Sequence, residues 1–209
     1  MTYRLFYFPS SSALPVHMLL QHVGADYELI GVDRAAGDLA GESYRALNPY
    51  GQVPALIVDG RVCFETAALL TIVAERHPHA GMIPAVGSHE RARFLQWLAA
   101  LSANLQPVFM TYFYPERWLD DGAGQAALKR RAAEKLTALF AIVDADLGDG
   151  PFVLGQRLSA ADFYLYMLTW YGRGLMPPAA SLANLGRHHA AVEEIDAVVE
   201  VMRQQGLCD

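Results

Sequence analysis

Glu65 and Thr66 put a carboxylate beside a hydroxyl, straight after a short apolar run and at the start of a helical pattern carried by Leu69, Ile72 and Val73. Backbone N–H groups left free at a helix start favour an anionic partner, and a carboxylate favours an ammonium. Upstream stands Gln52-Val53-Pro54. A proline at a strand entrance donates no ladder hydrogen bond, and it is a candidate for a cis peptide in a tight turn. With Val53-Pro54 cis, the N–H and C=O of Val53 face outward and can pair with an extended peptide-like ligand as one more strand would. Together these groups describe a receptor for a molecule carrying both an ammonium and a carboxylate on a peptide backbone. A third polar cluster, Ser10-Ser11-Ser12, lies between an aromatic run and an apolar helical pattern. On residue type alone, one of these serines caps the helix and the others fill the turn.

The elements that must hold these groups follow from turn signals and periodicity. Ala55–Val58 and Arg61–Phe64 flank Asp59-Gly60, the strongest local hairpin signal, because both central residues of a type I′ turn need φ > 0. Leu5–Phe8 reads as a strand, and Val16, Leu19, Leu20 and Val23 recur at helical spacing up to Gly24, a natural stop. Tyr27–Val32 reads as a second strand, parallel to the first through a right-handed crossover. Between Arg34 and Asn48 the chain is polar, with a short helix expected over Tyr44–Leu47; a longer helix is expected from Thr66 to about His77. Residues 1–80 thus form an α/β unit of order βαβ then ββα. The proline- and glycine-bearing stretch around 81–87 is a linker, and residues 88–209 form an all-helical domain.

In that domain Phe94, Leu98, Leu101, Leu105 and Val108 make one stripe, and Leu136, Leu139, Phe140, Val143 and Leu147 another. Ser159 with Asp162 is a capping box carrying Asp for the usual Glu, and the apolar Phe163–Tyr171 behind it is the expected buried axis. Val192, Ile195, Val199 and Met202 mark a last helix.

Composition narrows the class of function. Hydrophobic residues make up 53% of the 209 and charged ones 18%, the balance of a globular chain. A net charge of −6 without a basic patch argues against a nucleic-acid partner, whose binding rests on neutralised phosphates. Lys129-Arg130-Arg131 with Lys135 reads as a solvated helix face. Two cysteines, Cys63 in the hairpin as a small core residue and Cys208 near the end, give no disulfide framework. The histidines, His188-His189 read as surface among them, show no metal-ligand spacing, so no metal is expected. No apolar run approaches a membrane span and Met1–Arg4 leads straight into a strand, so a cytoplasmic protein with no membrane partner is expected.

Gln52-Val53-Pro54-Ala55-Leu56 followed by Glu65-Thr66 resembles the glutathione S-transferases, most closely their bacterial, beta-class-like members, and the likeness runs over nearly the whole chain. It implies a thioredoxin-like N-terminal domain, an all-helical C-terminal domain and a homodimer. It also implies glutathione as co-substrate, held by Gln52, Val53, Pro54, Glu65 and Thr66, with Asn104 a further candidate for the glutamyl amine across a dimer interface. A hydrophobic electrophile would lie against Phe109, Tyr112, Phe113, Trp118 and Trp170.

The thiol end admits two registers. Ser10 falls where serine-type members carry their catalytic hydroxyl, and Ser12 where the beta class carries a reactive cysteine, absent here. Ser10 is taken first, Ser12 second and Ser11 third. A hydroxyl donating to the sulfur contributes about 1.5–3 kcal/mol and a helix N-terminus about 0.3–1 more, enough to bring a thiol of pKa about 8.5 down by roughly one to three units. Gln106 and Pro107 replace a histidine and lysine of the beta class. That leaves three readings open: conjugation, glutathione-dependent isomerisation or dehalogenation, and binding without turnover.

Overall fold

The computed structural model describes residues 2–208 and divides into two compact units. One comprises the chain up to Pro84 together with Glu193 onward; the other is Ala85–Val192. In the first unit β1 (Thr2–Tyr7), α1 (Leu14–His22), β2 (Asp26–Gly31), a one-turn α2 (Glu42–Arg45), β3 (Ala55–Val58), β4 (Arg61–Phe64) and α3 (Thr66–Arg76) follow in order. The sheet runs β2-β1-β3-β4, with β1 parallel to β2 and antiparallel to β3. This is the thioredoxin-like arrangement.

Side-chain alternation explains β1. Tyr3 and Leu5 are buried, while Thr2 and Arg4 are exposed and Arg4 pairs with its cross-strand neighbour Glu28 at 2.9 Å. Between β3 and β4, Asp59 (φ 50°) and Gly60 (φ 74°) take the two positive angles that the turn demands. The start of α1 departs from expectation. No serine caps it: Leu14 N–H donates to the Ser11 carbonyl at 3.0 Å, and Pro15 in the first turn has no N–H to satisfy. The demand for a side-chain cap is therefore smaller than the sequence suggests, and the Ser12 hydroxyl serves elsewhere.

The second unit holds α4 (His89–Ala100), α5 (Gln106–Phe113), α6 (Gly122–Leu147), α7 (Ala160–Tyr171) and α8 (Ala183–Glu193). Between α4 and α5 the chain makes a π-helical segment, Leu101–Leu105. Pro107 accounts for it: in a regular helix its ring would clash with the Ala103 carbonyl and leave that carbonyl without a donor. The wider turn inserts a residue into the stripe. Leu101 and Leu105 stay inside, but Phe109, not Val108, takes the next buried position.

α7 is buried at every residue but Trp170, as expected of an axis. Its capping box forms, and Asp162 does more than close it. The fully buried carboxylate accepts from Ser159 N and Oγ (2.8 Å each), from Val153 N (2.7 Å), and lies 3.2 Å from His188 Nε2. His188 is consequently a core residue, which corrects its reading as surface; a dipeptide of two histidines carries no signal of the acid waiting in another helix.

The chain's end also departs from the sequence reading, which ran the helical domain to residue 209. A break after α8 starts a separate helix, α9 (Asp196–Gln204), which packs on α1 within the first unit. The break resets the phase: Ala197, Val198, Val201 and Met202 face inward and Val199 is exposed.

Candidate active site

The three segments singled out by the sequence come together in the first unit. Val53-Pro54 is cis, as expected. Ser12 Oγ donates to the Val53 carbonyl at 2.7 Å, and Thr66 Oγ1 donates to the Ser12 carbonyl at 3.0 Å. Ser12 therefore ties the entrance of β3 to the start of α3. Thr66 is the first residue of α3 and not its cap; the capping position belongs to Glu65, whose side chain makes no cap bond and is exposed.

Among the described residues three other than glycine have positive φ: Ser10 (59°), Asp59 (50°) and Glu65 (73°). Asp59 belongs to the hairpin turn. The other two are the residues assigned to the two ends of the ligand. Such conformations cost about 1–3 kcal/mol each and persist where surrounding structure imposes them, which is common at binding and catalytic sites. Ser10 is held from outside its own loop, its N–H donating to Gln205 Oε1 at 3.3 Å. Ser11 is buried, its Oγ 3.4 Å from Ala13 N.

Gln52 presents its side chain to solvent, while its carbonyl accepts from Tyr44 Oη (2.9 Å) and Asn48 Nδ2 (2.7 Å). Asn48 opens the turn that leads into Gln52-Val53-Pro54, whereas Tyr44 carried no expectation of this kind; both fix the backbone just before Val53. Burial pushes the Tyr44 hydroxyl pKa up, keeping it a neutral donor. Gly51 completes the turn at φ 61°, where a Cβ would stand 2.7 Å from the Leu39 carbonyl oxygen. The signal available in sequence was the turn chemistry of Asn48-Pro49 and Gly51; nothing local marks Tyr44.

The remaining candidates belong to the second unit. Phe109 stacks on Phe113 (5.6 Å), and both meet Tyr171 edge-on at 5.6 Å; Tyr112 and Trp170 adjoin this set. Phe109 is core, 1% exposed, whereas Phe113 is 41% exposed. Trp118, 64% exposed, joins none of these ring contacts. Tyr112 Oη donates to the Gly174 carbonyl at 3.2 Å. Asn104 sits in the π segment, exposed, its amide turned back to the Ala100 carbonyl at 3.1 Å. Among the described residues no helix is long and apolar enough to cross a membrane.

The architecture is thus a thioredoxin-like unit with a polar cluster around a cis-proline, joined in sequence to a helical unit. Residues 9–76 match the glutathione S-transferase N-terminal domain and residues 100–197 the C-terminal domain. Glutathione S-transferase GST-4.5 of Xanthomonas campestris pv. campestris is 31% identical over 168 residues, covering 80% of this chain and 81% of that one. Maleylacetoacetate isomerase of Pseudomonas aeruginosa is 27% identical over 199 residues, covering 90% and 92%. A glutathione transferase homologue from Sulfitobacter, solved with bound glutathione, superposes with TM-score 0.89 at 25% identity over 99% of both chains. The chain belongs to the glutathione S-transferase family.

Proposed function

We propose that this chain is a glutathione transferase that holds glutathione along Val53, with the γ-glutamyl end at Glu65 and Thr66, and activates its sulfur beside the Ser10 loop. The observation that carries this reading is Ser12, whose two hydrogen bonds join the strand entrance to the helix start, in the same loop as Ser10, the residue proposed for the thiol. The strained backbones of Ser10 and Glu65 support it. Because the Ser12 hydroxyl proton is committed to the Val53 carbonyl, Ser12 is poorly placed to donate to a thiolate as well. Ser10 is the better donor. Serine does not act as a base at neutral pH; its part is to donate and orient, and rate enhancement comes from thiolate formation and proximity.

The electrophile is proposed to be hydrophobic and to contact the half-exposed aromatics Tyr112, Phe113 and Trp170. The homodimer is proposed on family membership, and the cytoplasmic location on cysteine usage that fits a reducing compartment. The same thiolate serves glutathione-dependent isomerisation, a second reading that the isomerase relative favours. Turnover of a panel of electrophiles and of cis-enedione-type isomerisation substrates with glutathione separates the two. Binding without turnover of any of them removes the enzymatic reading.

A further inference from the structure

Gln205 follows α9 and is 6% exposed, far along the chain from the serine loop yet bonded to it. Its amide oxygen accepts from Ser10 N–H at 3.3 Å, and its amide nitrogen lies 3.0 Å from His17 Nδ1. His17 is fully buried in α1; its Nε2 lies 3.1 Å from Tyr27 Oη, which donates to Gln21 Oε1 at 2.6 Å.

The direction of every bond follows from one fact. A backbone N–H only donates, so the Gln205 oxygen faces Ser10 and its NH2 faces His17. His17 Nδ1 is then an acceptor, the ring is neutral with its proton on Nε2, and that proton goes to Tyr27. Burial keeps the ring neutral by holding its pKa at about 4. Tyr7, Tyr27 and, from α9, Glu200 face the ring from neighbouring elements. The amide is thus clamped at both ends: rotating it would set NH2 against N–H at Ser10 and oxygen against a lone pair at His17.

We infer that Gln205 is a positioning residue for the thiol loop: its clamped amide holds Ser10 in the left-handed backbone conformation and so sets where the Ser10 hydroxyl stands. This rests on the reading of Ser10 as thiol donor. Gln205→Met keeps the length and the packing but loses both bonds. Gln205→Glu keeps an acceptor for Ser10 N–H but sets its other oxygen against the His17 Nδ1 lone pair, so only the bond to Ser10 survives.

The test is a pH titration of the thiolate absorbance of bound glutathione in wild type, Gln205→Met, Gln205→Glu and Ser10→Ala, with the KM for glutathione and kcat for chlorodinitrobenzene. Gln205→Met is expected to raise the thiol pKa by about one unit and to lower kcat about tenfold, with KM changing less than about threefold, because the peptide contacts lie at Val53 and Glu65. Gln205→Glu, which keeps the bond to Ser10, is expected to lose less than Gln205→Met. If Ser10→Ala shifts the titration and Gln205→Met lowers only thermal stability, the positioning role is overturned and the Ser10 reading stands. If Gln205→Met shifts it and Ser10→Ala does not, the clamp positions another group of the loop and the Ser10 reading falls. If neither shifts it, both are overturned.

Discussion

The hydroxyl of Ser12 donates to the carbonyl of Val53 at 2.7 Å, so one of that carbonyl's two lone pairs is already taken. The other lone pair and the N–H remain the edge proposed for the ligand's backbone. Ser12→Ala is expected to cost about 0.5–1.5 kcal/mol of stability through the lost hydrogen bond, and to weaken glutathione binding by less than tenfold. Urea unfolding and calorimetry on the variant check both numbers. A variant as stable as wild type would mean that the segment around Val53 holds its shape without this tie.

Glu65 is the residue proposed for the charge contact with the γ-glutamyl end. Glu65→Ala removes a charged hydrogen bond worth about 1.5–3 kcal/mol, and glutathione affinity should fall roughly 10- to 150-fold. It also changes a residue at φ 73°, so Glu65→Gln, which keeps the side chain's length, is the companion variant. Unchanged affinity in both places the glutamyl end elsewhere.

Buried His17 gives a pH dependence whose sign can be worked out. Its folded pKa is about 4, below the unfolded value of about 6.5, so between those values the unfolded chain binds the extra proton. Its contribution is intact above about pH 6.5 and is lost as pH falls toward about 4. From about pH 7 to about pH 5, wild type should lose about 2 kcal/mol more stability than His17→Asn, in which the group does not titrate. Equal losses in the two proteins would show that His17 charges without cost.

Much of the first unit is legible in the sequence because its signals are local. Asp59-Gly60 and the proline after Val53 each act within a few residues and lie where expected, whereas β1 starts at Thr2, three residues before the expected Leu5. What escaped depends on distance or on a helix leaving its period. Pro107 widens the preceding turn and puts Phe109 where Val108 was expected; the break before α9 puts Val198 inside and Val199 outside. Thr66, His188, Tyr44 and Gln205 have roles set by partners in other elements, which no spacing within their own helices reveals.

Those distant partnerships also predict where the second unit is fragile. Asp162 satisfies two backbone N–H groups and a hydroxyl in a fully buried place, beside His188. Asp162→Ala should destabilise the protein by about 3–5 kcal/mol, since it leaves buried donors unpaired, whereas Asp162→Asn should cost less. Denaturant unfolding of the two variants checks the order; equal stabilities would deny the carboxylate its role as a common acceptor.

The Ser10 hydroxyl of the first loop is proposed to stabilise the thiolate of bound glutathione. The measurement is the thiolate absorbance as a function of pH in the glutathione complexes of wild type, Ser10→Ala and Ser12→Ala. Ser10→Ala is expected to raise the thiol pKa by about one to two units and Ser12→Ala to change it much less. A shift in Ser12→Ala with none in Ser10→Ala, or no shift in either, would contradict it.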